Sequence, residues 1–353
     1  MSVDAAAALW DPDRGYLNTS SYGLPPRPAW DALQRALSDW RHGRTSWEGW
    51  AGAVDESRAL FADLVGADPS TVATGTSVSQ LLAPVAAAVP DGATVLVPDI
   101  EFTSNVFPWA VHAGRGVTVR TAPVDRFVEA ITADVDVVAW SAVQSATGEV
   151  ADGAAISAAA RGVGALTVVD ATQAAGWLPV TARVVDLLVG TAYKWLCSPR
   201  GTGFLVLDPD LPARHPAVAK RLKPLAANWF AGESVHDSYY GLPLRLAGDA
   251  RRFDISPAWH CWVGTAPALR VLTDVGVAAI GAHNVGLANG FLAAMDQPPS
   301  DSAIVSVPAD DAAVDRLHAA GVRFGMRAGR VRVAFHLYSS AADVELAVRA
   351  LRG

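Results

Sequence analysis

The chain has 353 residues, is 51% hydrophobic and only 18% charged, so it can bury a sizeable core and is not mainly disordered. Its 28 Lys+Arg against 35 Asp+Glu give a formal charge of −7 with no basic block, which argues against nucleic acid or an anionic membrane as partner. Two cysteines, Cys197 and Cys261, exclude a disulfide framework or a cysteine zinc cluster, and the start MSVDAAAALWDPDRG lacks the basic and apolar regions of a signal peptide.

In chain order, the first strong signal is 72–80 (VATGTSVSQ), which opens a helical segment at 77–89. Nearly continuous apolar runs follow at 94–97, 117–120 and 135–140. A second Ala-rich helical segment, 153–162, leads to further runs at 165–169, 186–189 and 204–207. Runs without alternation read as strands covered on both faces. Strands alternating with helices predict an α/β fold with a mainly parallel sheet. From 209 to 262 the pattern turns to prolines and aromatics. Residues 263–295 predict a long helix broken near Gly276, and the tail predicts helix 310–320, strand 330–335 and helix 340–352. That tail is a small α+β unit. No apolar stretch reaches the roughly 18 residues of a bilayer span without a charge, Pro or Gly. A cytoplasmic protein is expected.

Three segments carry chemistry. Ser77 and Thr76 stand before the 77–89 helix, where free amides and two hydroxyls suit a phosphate. A plain Ser/Thr cap is the bland alternative. The run 165–169 ends in Asp170, and ligands of open α/β sheets sit beyond the carboxyl ends of the strands. A capping or turn aspartate would look the same. Lys194, in TAYKWLCSPRG, follows another run. A lysine buried there has its pKa depressed and becomes a Schiff-base nucleophile, whereas a snorkelling lysine stays solvated. Together, in this order, the three are far more specific than any one. Pyridoxal phosphate requires an anion site, an acid for its ring nitrogen and a lysine for its aldehyde.

On these motifs the sequence resembles the fold-type I pyridoxal-phosphate enzymes, and among them the class V aminotransferase family. That family includes cysteine desulfurases, kynureninases, isopenicillin N epimerase-like enzymes and C–S lyases. The resemblance runs from YLNTSSYGLPP at 16–26 to RVAFHLYSSAADVE at 332–345. It implies that Asp170 pairs with the ring nitrogen, that Gln173 lies near the phenolic oxygen, and that Lys194 is the cofactor lysine. It places Thr191, Tyr193, Thr76 and Ser77 at the phosphate, and Phe102 of DIEFTSN stacked on the ring. Arg332 falls where the family binds a substrate α-carboxylate; alone it would read as a surface strand arginine. In RRFDISPAWH the family often has Gly-Thr reaching the partner subunit's phosphate, and here only Ser256 offers a hydroxyl. Trp229 and Tyr239, in the aromatic segment 227–243, would sit over the site mouth, or else in a dimer interface.

The resemblance further implies a large cofactor-binding domain at 15–255, a small domain at 256–353 joined by the arm 1–14, and a homodimer. Cysteine desulfurases carry a nucleophilic cysteine on a loop shortly before the carboxylate arginine. Residues 300–331 contain none, so persulfide chemistry of that kind is disfavoured. The expected activity is elimination from a cysteine conjugate or amino-group transfer. Amino-acid epimerisation is the alternative, and a catalytically silent cofactor-binding protein is the alternative of another class.

Overall fold

The apolar runs assemble at the centre of the molecule; the computed structural model describes residues 1–353. The strands are β1 (Val72–Gly75), β2 (Thr94–Pro98), β3 (Thr118–Ala122), β4 (Val137–Ser141), β5 (Leu166–Asp170), β6 (Leu187–Thr191) and β7 (Gly203–Leu207). They form one sheet in the order β1-β7-β6-β5-β4-β2-β3. Pairing from β3 to β6 is parallel, while β7 runs antiparallel to both neighbours. Strands β4 to β7 are buried at every position, as their unbroken hydrophobicity requires. Successive side chains point to opposite faces, so Val138 and Trp140 join one apolar core while Val137 and Ala139 join the other.

Eight helices have nine or more residues: α1 (Arg27–Arg41), α2 (Trp47–Val65), α3 (Val78–Ala88), α4 (Gly153–Val163), α5 (Trp259–Val275), α6 (Val277–Ala294), α7 (Asp311–Ala319) and α8 (Ala341–Arg352). The break near Gly276 is real. That residue adopts φ 89°, a backbone region open to glycine but unfavourable for other residues. Helix α6 is apolar and long enough to cross a bilayer by length and composition. Glycines 281, 286 and 290 interrupt it, and its Ala288, Phe291 and Leu292 lie in the core of the small sheet.

That small sheet has strands β8 (Ile304–Val307), β9 (Gly325–Arg327) and β10 (Arg330–Ala334), antiparallel in the order β8-β10-β9. The N-terminal arm, which extends past the expected 1–14 to residue 23, ties it to the large sheet. Ala334 donates to the Leu17 carbonyl at 2.9 Å, and Gly23 donates to the Tyr193 carbonyl at 2.9 Å. Gly23 must be glycine, because a Cβ there would run into the Lys194 carbonyl oxygen.

One buried ion pair closes the β1 edge. Arg58 of α2 donates to Asp254 at 2.7 Å, and Asp254 also accepts from the Thr74 amide at 2.7 Å. Both side chains are nearly inaccessible to water. Removing one partner leaves the other charge buried alone. Arg58→Ala should therefore cost on the order of 3–5 kcal/mol in a denaturant unfolding experiment, and a change below about 1 kcal/mol would refute this account.

Candidate active site

The parallel strands bring their carboxyl ends to one edge of the sheet, where open α/β sheets bind ligands. Asp170 ends β5 and Thr191 ends β6. Asp170 is 4% exposed, and one carboxylate oxygen accepts from the Thr172 amide at 2.8 Å. The other oxygen has no partner within the chain. Burial raises the Asp170 pKa, opposed by the Thr172 hydrogen bond and the Lys194 charge. Lys194 is 6% exposed and its Nζ makes no hydrogen bond. Nζ lies 5.4 Å from the Phe102 ring centre and 5.7 Å from that of Tyr193. Burial lowers its pKa to about 8, although Asp170 pulls the other way.

The third part is the start of α3. Ser77 caps it, accepting from the Gln80 amide at 3.2 Å, and the Thr76 amide donates to Gln80 Oε1 at 3.0 Å. The amides of Val78 and Ser79 keep no intrahelical acceptor, as at any helix start, and the helix dipole adds positive potential there. Thr76, Ser77, Phe102, Asp170, Gln173 and Lys194 line one cavity of about 180 Å³, together with Thr191 and Tyr193. An amine and a carboxylate oxygen without partners, an aromatic ring and an anion-binding helix start are the donor set that pyridoxal phosphate requires. No group of three or more His, Cys, Asp or Glu side chains is arranged for a metal ion.

Several expected residues do other work. Gln173 lines the cavity, but its Nε2 donates to the Ser20 carbonyl at 2.9 Å and to Ser145 Oγ at 3.0 Å. Its Oε1 accepts from Trp195 Nε1 at 2.8 Å, so the amide ties the arm to the lysine turn. Ser256, expected at a partner subunit's phosphate, is exposed on this subunit and lies outside its own cavity. Trp229 and Tyr239 do not line the cavity either. Their rings, 5.5 Å apart, cluster with Trp47 at the start of α2, because large aromatics bury each other's faces.

Arg332 is fully buried and does not itself line the cavity, although its partner Ser145 does. It donates to the carbonyl of Ser145, to Ser145 Oγ at 3.1 Å and to Ser21 Oγ at 2.9 Å. Its Nε has no partner, and no carboxylate neutralises it. Burial lowers its pKa to about 10, with help from Arg327.

Sequence reasoning passed over Glu101. It is buried and accepts from Ser141 N at 2.7 Å, Phe102 N at 3.0 Å and Gln144 Nε2 at 3.2 Å, and from the Ser141 hydroxyl. It thereby fixes the backbone beside the Phe102 ring. Burial raises its pKa, with the Asp170 charge adding to the rise and the Ser141 bond opposing it. Its signal was the same as that of Asp170: an acid just past a buried strand. Arg200 and Thr172 also line the cavity.

Residues 42–314 match the family model described as Aminotransferase class-V. The chain is 30% identical over 267 residues to an uncharacterized aminotransferase, YcbU, of Bacillus subtilis, across 72% of this chain and 69% of that protein. Its fold matches the cystine C-S lyase C-DES, solved in complex with its reaction product cysteine persulfide, with a TM-score of 0.83 and 20% identity over 96% of this chain and 97% of that one. The cysteine desulfurase CsdA of Escherichia coli matches with a TM-score of 0.82 and 19% identity over 100% and 98% of the two chains.

The Lys194 environment is testable without turnover. In cofactor-free protein, acylation of Lys194 followed by mass spectrometry should show a pH midpoint near 8, with the reactive free amine above it. Asp170→Asn should move the midpoint lower, because an attraction for the ammonium is lost. A midpoint in the ordinary lysine range would mean that the side chain is solvated.

Proposed function

The chain belongs to the class V aminotransferase family, and from that premise we propose that it acts at Cα and Cβ of an amino-acid substrate, as a C–S lyase ahead of an aminotransferase. Pyridoxal phosphate is its cofactor. The observation that carries this reading is the buried Lys194 facing Asp170 in a cavity that ends on a helix start.

When bound, the cofactor supplies an electron sink that stabilises negative charge at the substrate Cα. The protein's own groups do the rest. Asp170 holds a proton at the ring nitrogen. Thr76, Ser77 and the first amides of α3 take the phosphate, and Phe102 covers the ring. Lys194, with its pKa near 8, would hold the cofactor's aldehyde carbon and, as a free amine, would move the Cα proton. Arg332 receives the α-carboxylate; an uncompensated buried guanidinium with an unpartnered Nε supports that role. The Ser21 hydroxyl now on its Nη2 must yield to the incoming anion.

The cysteines support elimination without a protein persulfide. Cys197 is buried, and burial pushes its thiol far above the ordinary range. Cys261 is half-buried and donates to the Arg200 carbonyl at 3.2 Å. Neither lines the cavity. A homodimer belongs to this proposal. Phe107 and Val111, 61% and 74% exposed shortly after Phe102, offer apolar surface for a partner subunit to cover.

Product analysis tests the reaction. An S-substituted cysteine should give pyruvate, ammonia and the free thiol, also in the Cys197→Ala, Cys261→Ala double variant. Alanine plus a keto acid should turn over more slowly. Borohydride reduction followed by mass spectrometry should place the cofactor's mass on Lys194; a label elsewhere, or none, would end this reading.

Arg332→Lys tests the carboxylate site. It should raise KM for amino acids much more than for amines lacking a carboxylate, by on the order of 2–5 kcal/mol in kcat/KM. Lysine cannot reproduce the two parallel hydrogen bonds of the fork. Equal effects on both substrate types would move the carboxylate site elsewhere, with Arg330 the next candidate.

A further inference from the structure

Arg200 is the one cation lining the cavity that has no part in the proposed reaction. It stands in the Pro/Gly loop after the lysine turn, where the sequence reads SPRG. Its backbone is held on both sides. The Arg200 amide donates to Tyr22 Oη at 3.3 Å, and its carbonyl accepts from Cys261 Sγ at 3.2 Å. Its guanidinium lies 4.7 Å from the centre of the Tyr193 ring, the ring that Lys194 Nζ also faces at 5.7 Å. The side chain is exposed, makes no ion pair, and lines the same cavity as Thr76, Ser77 and Val78.

We infer that Arg200 is the counter-cation of the cofactor phosphate. This rests on the assignment of pyridoxal phosphate above. Three observations converge on it. Arg200 lines the same cavity as Thr76, Ser77 and Val78 at the start of α3. The cavity's charges are otherwise committed, because Asp170 serves the ring nitrogen and Lys194 the aldehyde carbon. A phosphate dianion at the start of α3 then meets a partial helix charge and hydroxyls, and Arg200 is the only other cation lining the cavity. A guanidinium is suited to this task, since it stays charged at every working pH and binds phosphate oxygens in pairs. Stacking on Tyr193 orients the fork without consuming its N–H donors.

The test separates the phosphate from the rest of the cofactor. Cofactor-free wild type, Arg200→Gln and Arg200→Lys are each titrated with pyridoxal phosphate and with pyridoxal, and binding is followed by absorbance. Arg200→Gln should weaken pyridoxal phosphate by about tenfold or more while changing pyridoxal less than about twofold. Arg200→Lys should recover part of the loss. Because the side chain is exposed, the thermal midpoints of the cofactor-free variants should match that of wild type. An unchanged ratio of the two affinities in Arg200→Gln would overturn the inference. So would a variant in which the ratio is kept but KM rises only for substrates with an acidic side chain, because Arg200 would then bind a substrate anion. Failure of the cofactor assignment looks different: wild type itself would then bind neither compound at Lys194.

Discussion

The structure depends on keeping the Lys194 ammonium out of water. Burial disfavours the charged form, and a single opposing carboxylate, Asp170, offsets that only in part. The chain holds the unfavourable position by fastening the turn around it from three directions. Gly23 of the arm donates to the Tyr193 carbonyl, and Trp195 Nε1 donates to Gln173 at the tip of β5. The third fastening comes from the small sheet. His336 Nδ1 accepts from the Leu337 amide at 2.8 Å, so Nε2 carries the proton and donates to the Trp195 carbonyl at 3.0 Å. Burial lowers the His336 pKa to about 4, which keeps the ring neutral and this tautomer in place near neutral pH.

These fastenings couple the two halves of the site. Arg332 and His336 belong to one segment, β10 and the turn after it. One addresses the substrate side and the other addresses the lysine turn. The arm does the same from its end, with Ser21 on Arg332 and Gly23 on Tyr193. Ser21, bonded to Arg332, and Gly23, bonded to the Tyr193 carbonyl, stand two positions apart, so short, buried connections run between the surroundings of Arg332 and of Lys194.

Much of this was legible in the sequence because burial on both faces leaves a plain signature. The six apolar runs became six strands, although β3, at the sheet edge, is largely accessible rather than covered on both faces, and Gly276 became a helix break, since a residue at φ 89° needs glycine. What escaped had physical reasons. Strand β1 is only VATG, too short and too small to stand out from a loop. Helix α1 exposes Trp30 and Trp40, 52% and 61% accessible, so its apolar positions do not mark a buried stripe. Of the expected site, the residues on strand ends and helix starts lie together, because those positions follow from the sheet itself. The aromatics expected on a loop, Trp229 and Tyr239, pack on Trp47 instead of lining the cavity, through contacts that a linear pattern does not contain. Gln173 lines the cavity, and its hydrogen bonds go to Ser20, Ser145 and Trp195.

The choice among the family's reactions turns on how many groups can carry a proton. The titratable residues lining the cavity are Asp170, Tyr193, Lys194 and Arg200. Asp170 is the proposed partner of the ring nitrogen. Burial raises the Tyr193 pKa, which keeps its phenol protonated. An arginine does not give up its proton at working pH. Lys194 alone can both take and return one. A single base that removes the Cα proton from one face can deliver it to a neighbouring atom on that same face, and it can also protonate a departing sulfur. Inversion would need a donor on the opposite face of Cα, whereas the proposed elimination and amino-group transfer need no proton carrier beyond Lys194. In the proposed elimination, residues 300–331 offer no cysteine to take up the departing sulfur, which would leave as a free thiol.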